Sequence, residues 1–251
     1  MLAASRDRAA LAQAEPLAPI RAASRDTPFV VAQLGQSLDG RIATQGGESR
    51  SISGAAALDH LHRLRAHVDA VVVGIGTVLA DDPRLTVRRV EGRDPARVII
   101  DPRGRLPPGA CCLAGEANTY IVGPQTGQAA GAARRIALAP DANGWIDPRA
   151  IVAALFERGL RRLLVEGGAN TLSRFIDAGC VDRLHVLIAP IILGSGKAGL
   201  SLRPIASLSL ALSPATTVYP LPGGDVLFDC DLRHRRNRLE EDHDDGTLGA
   251  R

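Results

Sequence analysis

Three glycine-bearing stretches stand where apolar runs end, and each could offer backbone N–H groups to a phosphate. The fullest is Leu163–Ile176, LLVEGGANTLSRFI, where an apolar run delivers Glu166 and Gly167-Gly168 turns the chain into a helical pattern. Paired glycines let a backbone come close to a ligand. A helix start adds unpaired N–H groups and the positive end of the helix dipole. Asn170 and Thr171 would contribute side-chain donors from the same turn. The plainer reading is an ordinary strand–helix turn with an exposed Glu166, and this loop alone leaves both open.

The other two stretches fail as standard nucleotide motifs. Residues 71–83, VVVGIGTVLADDP, begin like a dinucleotide fingerprint, but Leu79 stands where a third glycine is needed. Asp81 and Asp82 come far too early to be a ribose-binding carboxylate. Gly194–Gly199 is a literal G-x-G-x-x-G, yet Pro204 follows, no helical pattern opens, and no acid appears before Asp225. A Walker A reading fails as well, because Ile191 takes the first glycine position and Ala198 the magnesium-binding one.

Nucleophiles and metal ligands do not organise. His60, His62 and His67 do not share a helical face, and neither H-E-x-x-H nor G-x-S-x-G occurs. Cys111, Cys112, Cys180 and Cys230 form no C-x-x-C pair, so no metal is expected and the thiols read as reduced ones of a cytoplasmic protein. Arg65 ends a helical pattern, where the dipole favours a cation whatever the function. Arg84 and Arg88 flank Leu85-Thr86-Val87 after the Asp81-Asp82-Pro83 turn, and each alone reads as a solvated arginine.

The elements that must carry these loops alternate strand and helix. Strands are expected at Phe29–Gly35, Val68–Ile75, Arg97–Ile100, Tyr120–Gly123 and Leu163–Glu166. The β-branched run at 68–75 suits a strand covered on both faces. Helices are expected from about Gly54 to Ala66, with Ser53 as N-cap and Leu58, Leu61 and Leu64 on one face, over Pro148–Glu157, and from Gly168 to Ala178. The last third reads as β, at Arg183–Ile192, about Ser207–Val218, and Asp225–Leu232. The pattern predicts an α/β fold with a mostly parallel central sheet flanked by helices and antiparallel carboxy-terminal strands. No linker is long enough to make a two-domain division the better reading.

Composition limits the partners. The 251 residues are 45% apolar but only 3% aromatic. So few aromatic faces argue against single-stranded nucleic acid, which is held largely by stacking. The net charge of +3 is mild. No apolar run is long enough to span a bilayer, and residues 1–28 lack the apolar core of a secretory signal. Residues 1–27 and 233–251 read as tails, leaving 28–232 as the functional domain. The second tail pairs RHRRNR with EEDHDD, and that adjacent acidic block turns a nucleic-acid arm into a solvated end.

Taken together, the loops resemble the pyrimidine reductases of riboflavin biosynthesis, whose fold is similar to that of dihydrofolate reductase. The resemblance rests on SLDGRIAT (Ser37–Thr44), GES (Gly47–Ser49), HRLRAHVDAVVVGIGTVLADDPRLTVR (His62–Arg88), ARVIIDPRGRLP (Ala96–Pro107), LLVEGGANTL (Leu163–Leu172) and VLIAPIILGSG (Val186–Gly196). They occur in the family's order and span about residues 29–232.

The resemblance implies NADPH along the carboxyl ends of the strands, against Gly35, Ser51, Thr77, Asp81 and the helix start Gly168, Ala169, Asn170, Thr171, Leu172, Ser173 and Arg174. It implies a substrate site of Ser49, Arg65, Leu85, Arg88 and Glu166, with Asp81 and Glu166 as candidate proton handlers. The implied reaction opens a phosphoribosylamino-pyrimidine to an imine and delivers hydride to the sugar, giving the ribityl form. Such an imine needs little beyond alignment with the donor, which accounts for the missing triad and metal. A homodimer is implied too.

Two departures stand out. Ser51 occupies a position where many members carry an aromatic residue, and the deaminase signatures H-x-E and P-C-x-x-C are absent. A stand-alone reductase could act on the aminated or the deaminated pyrimidine. Reduction of a pterin or another imine or carbonyl compound, and a catalytically silent nucleotide-binding module, are the alternatives.

Overall fold

Side chains along the central strands alternate between two apolar layers. Val30, Ala32 and Leu34 belong to one packed cluster, with Phe29 and Val31 in the other. Ala70 and Val72 against Val71 and Val73, and Leu163 and Val165 against Leu164, repeat the division. Helices cover both sides, which is why these strands read as unbroken apolar runs instead of alternating ones.

The computed structural model describes residues 15–50, 52–125 and 132–233. Its strands are β1 (Phe29–Ser37), β2 (Arg41–Ala43), β3 (Ala70–Gly74), β4 (Ala96–Ile100), β5 (Thr119–Gly123), β6 (Arg134–Ala137), β7 (Arg162–Glu166), β8 (Arg183–Ala189), β9 (Lys197–Ala198), β10 (Ala215–Pro220) and β11 (Val226–Asp231). Its helices are α1 (Ala18–Ala22), α2 (Ala55–His67), α3 (Ile75–Asp81), α4 (Pro148–Glu157) and α5 (Ala169–Asp177). The main sheet has the order β10-β11-β8-β1-β7-β3-β4-β5-β6, and β2 pairs with β9 separately. Pairings from β8 across to β6 are parallel, while β8–β11 and β11–β10 are antiparallel. The expected architecture is present.

Ile151, Val152 and Leu155 of α4 and Leu172, Phe175 and Ile176 of α5 fill one layer. Leu17, Ile20, Leu64, Ile75 and Val78, from the α1 region, α2 and α3, fill the other. Residues 15–27, counted with a tail in the sequence, thus contribute to the core: Ile20 is fully buried and Leu17 nearly so. Residues 1–14 and 234–251 lie outside the described residues.

Several boundaries differ from expectation. Ser53 does not cap α2. Gly54 holds that position, and its N–H donates to both carboxylate oxygens of the buried Asp225 (3.2 and 3.1 Å). The strand expected at 68–75 is Ala70–Gly74, because Ile75 already begins α3. The strand expected to reach Ile192 stops at Ala189, ahead of Pro190. Residues 207–214 are not strand: a single 3₁₀ turn spans Leu208–Leu210, and β10 begins after Pro214. Helix α4 matches its expected bounds, with Pro148 at its first position and the Asp147 carboxylate accepting from the Arg149 N–H at 3.0 Å.

Under α2 lies a buried polar chain. His60 Nε2 and His185 Nδ1 are 3.0 Å apart, one donating and the other accepting. His185 Nε2 stands 3.1 Å from Asp229 Oδ1, poorly aligned for a hydrogen bond. Arg183 donates to both Asp229 oxygens (2.9 and 2.5 Å).

Candidate active site

Strand register brings the loops together. Val72 of β3 pairs with Val165 of β7, and Gly74 of β3 with Ile100 of β4, so the carboxyl ends of β7, β3 and β4 lie in line. From β7 the chain passes through Gly167 and Gly168, both left-handed at φ +59° and +62°, into α5. From β3 it passes through Gly74 directly into α3. The two turns interlock. A methyl group on Gly168 would come 2.9 Å from Thr77 Oγ1, and one on Gly74 would run into Thr171 Oγ1. Glycine at 168 answers both conformation and space. At 74, where φ is an ordinary −79°, space alone excludes a side chain.

These turns open on a cleft of about 790 Å³. Of the residues singled out in the sequence, Ser49, Thr77, Asp81, Gly168, Ala169, Asn170, Thr171 and Arg174 line it. Ser49 Oγ donates to Asp81 Oδ1 at 3.4 Å, joining the two on the lining. Others lie elsewhere. Leu172 is fully buried in the core beneath α5, and the buried Ser173 accepts from the Ser201 N–H at 2.8 Å. Gly35 sits within β1, where an added methyl group would come 2.7 Å from Ser53 Oγ. Ser51 lies outside the described residues.

Ser49 apart, the expected substrate residues are not on the cleft lining. Glu166 is not the exposed carboxylate of the plainer sequence reading: it is 5% exposed. Both its oxygens accept from Arg65, at 2.7 Å from Nε and 2.6 Å from Nη2. Arg65 Nη1 also donates to the Thr86 carbonyl at 3.0 Å. Burial works against the Arg65 charge, but the attraction and hydrogen bonds of Glu166 prevail and hold its pKa above the ordinary value. Arg88 is exposed. Its side chain donates to Thr86 Oγ1 at 2.6 Å and its backbone N–H to His62 Nδ1 at 2.9 Å. Burial and the nearby Arg65 and Arg84 charges push the Arg88 pKa down. The Asp94 and Glu166 charges oppose that shift without cancelling it. Leu85, which lies between Arg84 and Arg88 in sequence, is buried in the apolar layer with Leu64, Ile75 and Val78, at φ +56°, an unusual conformation for a branched side chain.

A model of the RibD C-terminal domain matches residues 28–218. The chain belongs to the RibD C-terminal domain family. The 2,5-diamino-6-ribosylamino-4(3H)-pyrimidinone 5′-phosphate reductase of Methanothermobacter thermautotrophicus is 38% identical over 177 residues, covering 68% of this chain and 82% of that protein. Riboflavin biosynthesis protein RibD of Escherichia coli strain K12 is 33% identical over 191 residues, covering 70% of this chain and 52% of that one. RibD of Acinetobacter baumannii, form 1, superposes with a TM-score of 0.72 at 30% identity, covering 82% of this chain and 58% of that chain. The chain therefore spans most of the archaeal reductase but less than two thirds of these RibD chains. The resemblance drawn from the sequence motifs holds.

The residues of this RibD C-terminal domain fit a dinucleotide. No side chain caps α5; the Thr171 and Leu172 N–H groups donate to the Gly168 carbonyl (3.0 and 3.2 Å), and those of Ala169 and Asn170 are left for a ligand in the cleft. Asn170, Thr171 and Arg174 stand in that turn and the next. Sequence reasoning missed several lining residues: Ile42 and Ala43 of β2, Lys197 and Ala198 of β9, Arg103, Arg105 and Trp145. Ile42, Ala43, Arg103 and Arg105 fall within the SLDGRIAT and ARVIIDPRGRLP stretches, and Trp145 is the lone tryptophan of a chain poor in aromatics.

Proposed function

We propose that the protein is an NADPH-dependent reductase. It would convert the ribosyl chain of a phosphoribosylamino-pyrimidine to the ribityl form in riboflavin biosynthesis, on 5-amino-6-(5-phosphoribosylamino)uracil or its diaminopyrimidinone precursor. The observation that carries this reading is the uncapped start of α5 meeting Thr77 across the Gly167–Gly168 bend, inside a cleft of dinucleotide size. The likeness to the archaeal reductase supports the substrate class.

In this reading the first turn of α5 and Thr77 hold the diphosphate. The reduced nicotinamide, when bound, supplies hydride. Arg84 and Arg88 receive the substrate phosphate, whose charge offsets the burial and the Arg65 and Arg84 charges that weigh on Arg88. Arg65 fixes Glu166 through both oxygens, leaving each oxygen one further lone pair for the donor groups of a pyrimidine edge. Asp81, on the cleft lining and linked to Ser49, is better placed than Glu166 to handle a proton. Catalysis is then mostly alignment of two reactants.

A homodimer in the cytoplasm completes the reading. Leu208 and Leu210, just ahead of β10, and Val218 on that edge strand are exposed, and a second copy would cover them. No helix among the described residues is long and apolar enough to cross a membrane.

The test mixes purified protein, NADPH and either pyrimidine, following absorbance at the reduced-nicotinamide band. Consumption of NADPH with one substrate is expected. Tight NADPH binding without turnover of either would overturn the reading.

A further inference from the structure

One corner of the cleft has no role in that reading. Arg103 and Arg105, on the turn after β4, line it together with Arg174 of α5. With Lys197 they set four cations against one lining carboxylate, Asp81, among the described residues. Neither Arg103 nor Arg105 has a carboxylate partner among those residues.

The corner is built. The Leu106 N–H donates to Asp101 Oδ2 at 2.8 Å, and Asp101 is itself buried at the end of β4, so both arginines project from a pinned turn. A methyl group on Gly144 would come 3.2 Å from Arg103 Nη2, which puts that guanidinium against the Gly144 backbone. The next residue is Trp145, and Arg174 Cζ stacks 3.6 Å from its ring centroid. Arg103, Gly144, Trp145 and Arg174 thus form one continuous wall.

Its distance from the α5 start suits a dinucleotide. The β7, β3 and β4 ends lie in line, and neighbouring strands are about 4.8 Å apart, so the β4 end stands roughly 10 Å along the sheet from the Gly167–Gly168 bend. A dinucleotide with its diphosphate at the bend, running toward β4, brings its adenosine ribose to this corner.

We infer that Arg103 and Arg105 read a phosphate ester on the adenosine ribose, with Trp145 and Arg174 as the adjoining wall, and so select the phosphorylated dinucleotide. A guanidinium fork matches phosphate oxygens in pairs. A ribose diol offers far weaker acceptors, so the same two cations gain little from NADH. The inference rests on the dinucleotide reading given above.

Trp145 is the sole tryptophan, so its fluorescence reports on this corner directly. Wild type, Arg103→Ala, Arg105→Ala and the double variant are titrated with NADPH, NADH, 2′,5′-ADP and 5′-ADP, with calorimetry as a second readout. Wild type should bind NADPH roughly 10–100-fold more tightly than NADH, the worth of one or two charge-assisted hydrogen bonds. The double variant should bring NADPH down to the NADH level and leave NADH within about twofold of wild type. The preference for 2′,5′-ADP over 5′-ADP should vanish with it. Both arginines are exposed, so thermal melts should stay put. Equal wild-type affinity for NADPH and NADH would overturn the inference while sparing the reductase reading. Equal loss of both nucleotides in the double variant would move the arginines to the diphosphate and overturn it too. Failure of every nucleotide to bind, by fluorescence and calorimetry alike, would sink the dinucleotide reading itself.

Discussion

Removing one member of the Arg65–Glu166 pair should cost far more than removing both. The two side chains are 7% and 6% exposed, and two short bonds hold them in a fork. Glu166→Leu leaves a buried guanidinium with only the Thr86 carbonyl, and Arg65→Met leaves a buried carboxylate. Breaking a pair of this kind typically costs about 3–5 kcal/mol, whereas an apolar replacement of both members is often close to neutral. At roughly 2–4 °C per kcal/mol for a chain of this size, each single variant should melt about 6–20 °C lower. The double variant Arg65→Met/Glu166→Leu should recover most of that loss. The assay is urea unfolding and calorimetric melting of all four proteins as a double-mutant cycle. Additive losses, or single variants within about 1 kcal/mol of wild type, would refute the claim that the pair is desolvated and mutually dependent. A sequence-only argument would expect Glu166→Ala to impair turnover while sparing the fold. The structure changes that expectation, and activity of Glu166 variants must be read on protein shown to be folded.

Three other outcomes are expected. His60 has its pKa pushed down from 6.5 to about 3, first by burial and then by the His185 and Arg63 charges. The unfolded chain therefore takes up a proton where the folded one does not, and stability present above about pH 6.5 falls on acidification by roughly 2 kcal/mol at pH 5. His60→Gln should flatten this limb in urea midpoints measured at pH 7 and pH 5. Gly168→Ala forces a side chain to φ +62°, at about 1–2 kcal/mol, and against Thr77 Oγ1. NADPH affinity should drop about tenfold or more, because the bend is displaced from the diphosphate, and unchanged binding by calorimetry would count against the bend's role. Ile20→Ala should cost about 2–5 kcal/mol in urea unfolding although it lies outside the matched family domain, because the side chain is fully buried.

Much of the fold was legible because its strands are covered on both faces. Val71–Val73 and Leu163–Val165 are unbroken apolar runs, and α4 carries its own start signal in Asp147-Pro148. Strands β2 and β9 hold three and two residues, too few for any periodicity to register. The Ser-Leu alternation at 207–212 invites a strand, but no neighbour pairs with it and Leu208 is 90% exposed. Ser53 looked like a cap by residue type, while the true partner of that helix start, Asp225, comes from a turn 171 positions away. The glycine turn into α5 was readable from Gly167-Gly168-Ala169-Asn170-Thr171, since local sequence makes a helix start. The Arg65–Glu166 pair was not, because its members are 101 positions apart and only the meeting of α2 with β7 joins them.

The turn at Gly74 has a consequence for how this family can diverge. Its backbone would tolerate any residue, yet Thr171 occupies the space a side chain needs. A larger residue at 74 is admissible only where 171 has shrunk to alanine or glycine, so the two positions should change together across descendants of a common ancestor. A lineage that drifts at one without the other would have to give up the close seating of the two turns.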